Sequence, residues 1–501
     1  MRFSPLSASI EARIGARPRR AASTATVLAA TMLLPACAGI EPRDSAPLNA
    51  AAPANKPADR ETRASPEHRQ MVALFDGEYE YRPAEIYLND ILAKLAKADE
   101  RGGEPYKVTI LNSPVVNAFA LPPGNLYVTR GLLALAIDGS EVAAVMAHEI
   151  AHITARHALQ REEEEKRAAL IGQAASVIQS KQKGEEVAAE AQRTIASFSR
   201  SQELEADQIG IRVAAKAGYD PFGASRFLAS LGRSASLRNA LMGPYAGAGK
   251  PDILATHPST PDRIAQAISA ARQIGAPGIG TADRAAYLAA IAGMTFGDDP
   301  AEGAIRGRKF LHGRLGFAFV APEGFTLENT SQAVLGIKTG GGEALRLDSV
   351  SVPLATPLSA YIASGWIDGL IEPSITALEI NGMPAATADA SAGDWQFRVA
   401  VIRFDQERVY RLIFAARALT SEAKERFQAS IQSFHHVSQE EVRAMRPLRL
   451  AITAAKPSDT SETLAARMAV PSRALDYFLL INDLARGEPL RIAEQYKIVV
   501  E

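Results

Sequence analysis

The sequence predicts an α+β protein of several domains: a mainly helical first domain with a small sheet, an α+β domain, and a short β-α-α-β module. Length is the first reason, since 501 residues suffice for two to four hydrophobic cores. A change of periodicity is the second. Ile86, Ile91, Leu92 and Leu95 fall in a stretch that reads as a helix over 86–98, whereas Phe310–Phe434 carries strand-like runs. The Gly/Pro-rich stretch Gly275–Gly280 between them is the third. The boundaries expected are a leader over 1–37, a tether over 38–65, a first domain over 66–275, a connection over 276–308, an α+β domain over 309–440 and a module over 447–501.

Composition narrows the partners. Lys+Arg 55 against Asp+Glu 56 leaves a net charge of -1, so no global field draws in nucleic acid, and no nucleic-acid partner is expected. Cys37 is the single cysteine, which excludes an internal disulfide and a cysteine-rich zinc site.

At the N-terminus, Arg13, Arg17, Arg19 and Arg20 precede a small apolar run from Ala22 to Ala36. The run is too short for a membrane span and fits a secretory leader. It ends in Leu34-Pro35-Ala36-Cys37, which resembles a bacterial lipobox apart from Pro35. That resemblance implies a lipidated Cys37 as the first mature residue. With Ala38 rather than Asp next, it also implies the periplasmic side of the outer membrane. The alternative is an ordinary signal peptide cut nearby. The Pro- and Ala-rich stretch from Ala38 to about Ser65 reads as a flexible tether.

In the first domain, 106–111 alternates as a strand, and 117–121 with 125–129 reads as a hairpin around Pro122-Pro123-Gly124. The strand at Asn117–Ala120 is either an ordinary edge or one that pairs with an extended substrate backbone. Next comes Val145-Met146-Ala147-His148-Glu149-Ile150-Ala151-His152. His148 and His152 are four residues apart and share one face of a helix, so both rings reach a single metal ion. Glu149, beside the first ring, is placed to take a proton from a water that the ion acidifies, the chemistry that amide hydrolysis needs. The plainer reading is a helix with two surface histidines. The apolar flanks (Val142, Ala143, Ala144, Ile150, Ala151) argue for burial, and buried imidazoles beside a buried carboxylate require a partner. His157 is read as a helix-end residue or one that supports a ligand. Arg161–Arg167 and the helical stretch Ala168–Ala196 are read as a solvated helix or a lid. A third ligand is expected on another helix, where Glu203 and Asp207 share a face and Glu205 points elsewhere. Glu203 would bind the metal and Asp207 would hold a ligand ring in its tautomer. A charged amphipathic helix is the alternative.

Asn117-Ala118-Phe119, His148-Glu149-Ile150-Ala151-His152, Ser199-Arg200, Glu203-x-Glu205-Ala206-Asp207, Gly218-Tyr219-Asp220-Pro221 and Thr256-His257-Pro258 with Arg263 occur in this order. Together they resemble the zinc metalloendopeptidases of the HtpX and CAAX prenyl protease family, over about residues 70–270. The closest branch is that of the soluble, periplasmic BepA-like and LoiP-like lipoproteins. Pro123-Gly124-Asn125 departs from the Gly-Gly turn expected there. The resemblance implies a zincin-type metallopeptidase domain with one Zn2+ per chain. His148, His152 and Glu203 would be its ligands, Glu149 the base and Asp207 the support. It also places the His257 segment over the metal, so His257 either stabilises the oxyanion or closes the fourth position, with Arg263 beside it. Substrates would be misfolded or unassembled envelope proteins. The rival expectation is a chaperone or adaptor with an occluded metal site.

Downstream, 317–320, 343–352 and 396–415 read as strands, and 359–370 and 421–434 as helices. This domain is similar to the PsbP/Mog1 type and shows no catalytic constellation. Adjacent His435-His436 diverge on any regular element and make no second metal site. Residues 449–500 resemble a LysM module, which implies peptidoglycan glycan as a partner; the alternative is a small packing domain.

Overall fold

The computed structural model describes residues 45–46, 65–100, 105–164, 166, 181–242, 253, 257–330, 332–470 and 472–501. The leader, Cys37 and most of the tether lie outside the described residues, as does part of the stretch read as a lid. No helix among the described residues is long and apolar enough to cross a membrane.

The first domain wraps helices around one central helix. After α1 (Pro66–Leu74), α2 (Arg82–Ala98) buries Leu88, Ile91, Leu92 and Leu95. Ile86 is instead 59% exposed: Leu88 fills the stripe, and the helix begins a turn before the expected start. Strands β2 (Lys107–Leu111), β3 (Ala118–Leu121) and β4 (Asn125–Thr129) form a sheet of order β2-β4-β3. β3 and β4 are the expected hairpin, Ala118 opposite Val128 and Leu121 opposite Asn125, and β3 is an edge strand. The short α3 (Arg130–Leu135) leads into α4 (Gly139–Thr154), capped by Asp138, whose side chain accepts from the Glu141 amide. Every residue of α4 from Gly139 to Ala151 is buried, as expected of a helix apolar on all sides.

Two helices close on α4 through glycines. On α5 (Lys181–Lys216), a Cβ at Gly210 would lie 2.9 Å from the His148 amide nitrogen. At the first residue of α6 (Gly223–Met242), a Cβ on Gly223 would lie 2.5 Å from the Ser140 carbonyl oxygen. Any side chain at either position would hold its helix off the site. Asp220 accepts from the Phe222 amide and pairs with Arg226, which fixes the entry to α6. α7 (Pro261–Ile274) starts from a Thr260 cap, and α8 (Arg284–Ile291) packs on α2.

The α+β domain holds two antiparallel sheets. Ser45–Ala46 (β1) pairs with Ser349 and Val350 of the larger one. β5 (Ala304–Arg306), β6 (Lys309–His312) and β7 (Phe317–Val320) join β15 (His435–His436) in the order β15-β7-β6-β5. The larger sheet contains β8 (Phe325–Asn329), β9 (Val334–Lys338), β10 (Glu343–Ser351), β11 (Thr376–Ile380), β12 (Met383–Ala392), β13 (Trp395–Arg403) and β14 (Arg408–Ala416). They run in the order β11-β12-β13-β14-β10-β9-β8. The stretch 396–415 is therefore two strands and a turn. The helix expected over 359–370 is only α9 (Leu358–Ile362), because Gly365 and Gly369 sit at φ +90° and +68° and end it. α10 (Ser421–Gln432) matches its expected start and buries Phe427 and Ile431, and α11 (Gln439–Ala444) follows it.

The terminal segment has the expected β-α-α-β order: β16 (Arg449–Ala454), α12 (Ser461–Ala465), α13 (Ala474–Asn482) and β17 (Gln495–Val500). It does not stand alone. Leu450, Phe478, Tyr496 and Val499 belong to the same core as Leu132, Tyr287 and Met294 of the chain before the α+β domain. The backbone at 293–296 bonds to Leu448 and Leu450. Lys497, fully buried, donates to the carbonyls of Ala134 (2.7 Å) and Ala136 (2.6 Å) at the C-terminus of α3.

Candidate metal centre

Helical spacing builds the cluster. His148 and His152 leave α4 on one face, and their Nε2 atoms lie 3.0 Å apart. From α5, Glu203 brings Oε2 to 3.5 Å from His148 Nε2 and Oε1 to 3.4 Å from His152 Nε2. Asp207, one turn on, lies 3.0 Å from the other ring nitrogen of His148. His257 enters from the segment before α7, with Nδ1 2.8 Å from Glu203 Oε2 and 3.3 Å from His148 Nε2. Its Nε2 is 3.8 Å from Glu149 Oε1, a buried oxygen with no hydrogen-bond partner. Arg263, in the first turn of α7, grips Asp207 with two bonds of 2.8 Å and places Nη1 3.1 Å from Glu203.

These residues fit a divalent cation. One ligand atom from each of His148, His152, Glu203 and His257 lies within 4.8 Å of the others. A tetrahedron with Zn–N bonds of 2.0–2.1 Å has edges of roughly 3.3 Å, close to the separations here. With the His148 Nδ1 proton directed at Asp207, its Nε2 would offer a lone pair to a bound cation that displaces the second proton, and Glu203 adds a carboxylate at the same point. Imidazole nitrogens with one carboxylate are a donor set that suits zinc.

The electrostatics follow from burial and from these contacts. Burial opposes charge on His148, but hydrogen bonds to Asp207 and Glu203 outweigh it and push the ring up to about 10. Burial likewise opposes an ionised Glu203, yet the bonds from His148 and His257 hold it far below the ordinary carboxylate range. Asp207 is lowered against its own burial by His148 and Arg263. Burial raises Glu149 despite the nearby His257, giving a carboxylate with an affinity for a proton. His152 is pushed down by burial and then by the charge of His148.

Residues 84–271 match the family model described as Peptidase family M48. This segment is a peptidase family M48 domain. The chain is 32% identical over 198 residues to the "Beta-barrel assembly-enhancing protease" of Yersinia pestis and 30% identical over 198 residues to that of Escherichia coli (strain K12). In both cases the match covers 38% of this chain and 39% of the relative, so the chain spans about two fifths of those proteins' length. It is 34% identical over 163 residues to "Mitochondrial metalloendopeptidase OMA1" of Arabidopsis thaliana, covering 31% of this chain and 30% of the relative. Among solved structures, PsbP from Synechocystis sp. PCC 6803 aligns with 27% of this chain and 98% of its own, at 15% identity and TM-score 0.21, too low to assign a fold.

The M48 domain thus brings together His148, Glu149, His152, Glu203, Asp207, His257 and Arg263. Thr256 of the quoted motif and the lipidation candidate Cys37 lie outside the described residues. His157, read as a helix-end residue or one that supports a ligand, lies against a ligand ring, and the apolar pocket beside the cluster was left unassigned. His157 sits with Nδ1 2.9 Å from His152 Nδ1, five residues on but past a turn in which Arg156 takes φ 56°. An apolar pocket lined by Val145, Phe227, Leu228, Leu231 and Ile253 adjoins His148 and Glu149, and α6 shows no sequence signal for that role.

Proposed function

We propose that the M48 domain is a zinc-dependent endopeptidase, with His148, His152 and Glu203 as metal ligands and Glu149 as general base. The observation that carries this reading is the convergence of two imidazole nitrogens and a carboxylate beside a buried, unpaired Glu149 oxygen. Zinc, when bound, supplies the Lewis acidity that brings the pKa of the attacking water down to roughly 7. Glu149 takes that water's proton and returns it to the departing amine. Asp207 holds His148 in the tautomer that frees its Nε2, and Arg263 keeps Asp207 ionised and in place. The edge strand β3 is available to pair with an extended peptide backbone.

The relatives' name, with its reference to β-barrel assembly, supports substrates among unassembled envelope proteins and action in the periplasm. Attachment through a lipidated Cys37 and glycan binding through 447–501 belong to the same proposal. The first is tested by the mass of the N-terminal peptide, the second by sedimentation with purified peptidoglycan. Incubating β-casein and an unfolded outer-membrane barrel with wild type and Glu149→Gln tests the central reading. Wild type is expected to cleave, and the variant to be slower by about 10²–10⁴-fold. Equal cleavage by both would remove Glu149 from the chemistry.

The position of His257 favours a second reading, in which this arrangement is a resting form. Its Nδ1 stands where a fourth ligand would close the site to water. Faster casein cleavage by His257→Ala than by wild type supports that closure. Slower cleavage supports a role for His257 in stabilising the oxyanion.

A further inference from the structure

The two ligand histidines of α4 are supported differently. A metal-bound imidazole needs an acceptor for the proton on its second nitrogen, which fixes its tautomer and ring orientation. His148 has Asp207 at 3.0 Å. For His152, whose Nε2 faces the cluster, the group at the second nitrogen is another imidazole, His157 Nδ1 at 2.9 Å.

Two facing nitrogens form a hydrogen bond only if one carries a proton and the other does not. His152 Nδ1 carries the proton when its Nε2 serves as ligand, so His157 Nδ1 must accept. The proton of neutral His157 then sits on Nε2, which lies 3.4 Å from Glu205 Oε2. Gln202, three residues before Glu205 and therefore on the same face of α5, donates to the His157 carbonyl at 3.0 Å. One face of α5 thus holds His157 by backbone and ring together, while Glu203, turned away from Glu205, faces the metal position.

The geometry points to a Glu205–His157–His152 relay that positions the second zinc ligand, with His157 and Glu205 as positioning residues that touch neither metal nor substrate. Glu205 orients His157, and His157 orients His152. The inference rests on the zinc reading above.

The test is zinc affinity, read by competition with a chromophoric chelator on the full chain, together with the visible absorption of the cobalt-substituted protein. His157 is fully buried, whereas Glu205 has a side chain 55% exposed, so Glu205 variants carry the test without risk to the fold. Glu205→Ala is expected to raise the zinc dissociation constant about tenfold and to shift the cobalt bands. Glu205→Gln, whose amide oxygen can face Nε2 from the same position, is expected to restore most of the affinity. His157→Ala is expected to weaken binding more, by up to about 100-fold. Wild-type affinity and cobalt spectrum in Glu205→Ala would overturn the relay and leave the zinc site standing. A wild-type chain that takes up no zinc would overturn the site itself.

Discussion

Two buried polar clusters lie in the first domain's core, and they differ in whether they are complete. Around Lys497, the ammonium reaches the carbonyls of Ala134 and Ala136 at close range and that of Leu135 at 3.5 Å. Those are carbonyls that the end of α3 leaves unpaired, and burial pushes the Lys497 amine down to about 7, so these hydrogen bonds hold it whether or not it is charged. The donors of the ammonium find their acceptors within the protein. Around His148, ring nitrogens and carboxylate oxygens from α4, α5 and the His257 segment converge within 4.8 Å of one another, and Glu149 Oε1 has no hydrogen-bond partner. Both clusters lie largely out of solvent, so burial alone does not distinguish a structural group from a functional one. Closure of the hydrogen-bond account does. A self-satisfied cluster holds two segments together, whereas one that converges on a point calls for a cation.

The largest expected effect breaks the complete cluster. Lys497→Met removes the donor and leaves the α3 carbonyls buried and unpaired, which should destabilise the chain by about 3–5 kcal/mol in denaturant titrations. Zinc stoichiometry at low temperature should stay at the wild-type value. A melt unchanged by this substitution would show that 447–501 is an independent module. Next is the pH dependence of the neighbouring Glu141, whose carboxyl burial raises from 4.5 to about 8. The folded chain keeps a proton that the unfolded chain gives up between about pH 4.5 and 8, so the unfolded state binds fewer protons and stability falls as pH rises through that window. Glu141→Gln should remove this contribution, on the order of 3 kcal/mol between pH 5 and 8. Parallel pH profiles for variant and wild type would contradict it.

The metal cluster was legible in the sequence because its spacings lie within single helices. His148 with His152, and Glu203 with Asp207, need only the helical repeat to be placed on common faces. The assignment of Glu203 as ligand and Asp207 as its support drew on the ordered motifs as well as on periodicity, whereas the pairing of Asp207 with His148 and the clamp of Arg263 on Asp207 emerged only from the structure. His157 with Glu205 was not paired, because their meeting depends on the turn at Ala155-Arg156 and on the docking of α5, neither of which leaves a spacing in the sequence. Lys497 carried no reading of its own for a related reason: its burial depends on α3 packing against that face of β17, a contact that leaves no spacing in the sequence. The miss at 359–370 was local instead: Gly365 and Gly369 take left-handed conformations and override an otherwise helical pattern. For the buried clusters, what lies within one helix was readable, and what depends on two elements meeting was not.

Two smaller effects sharpen the contrast from the side of the incomplete cluster. If the cation completes it, removal with a chelator should lower stability by about 2.7 kcal/mol relative to zinc at a hundred times its dissociation constant. The Lys497→Met variant should lose the same increment, since its defect lies elsewhere. Non-additivity of the two would place Lys497 and the metal in one network. Arg263→Lys is the finest test. The guanidinium spans both Asp207 oxygens and reaches Glu203 with a third nitrogen, and a lysine ammonium cannot reproduce that fork. Charge is conserved, so the fold should survive with little change in melting temperature. His148 would lose the fixed partner of its Nδ1, and the zinc dissociation constant should rise roughly tenfold. An unchanged constant would mean that Asp207 holds its place without the clamp, and that Arg263 serves Glu203 or the segment at Pro258, whose carbonyl it also binds at 3.1 Å.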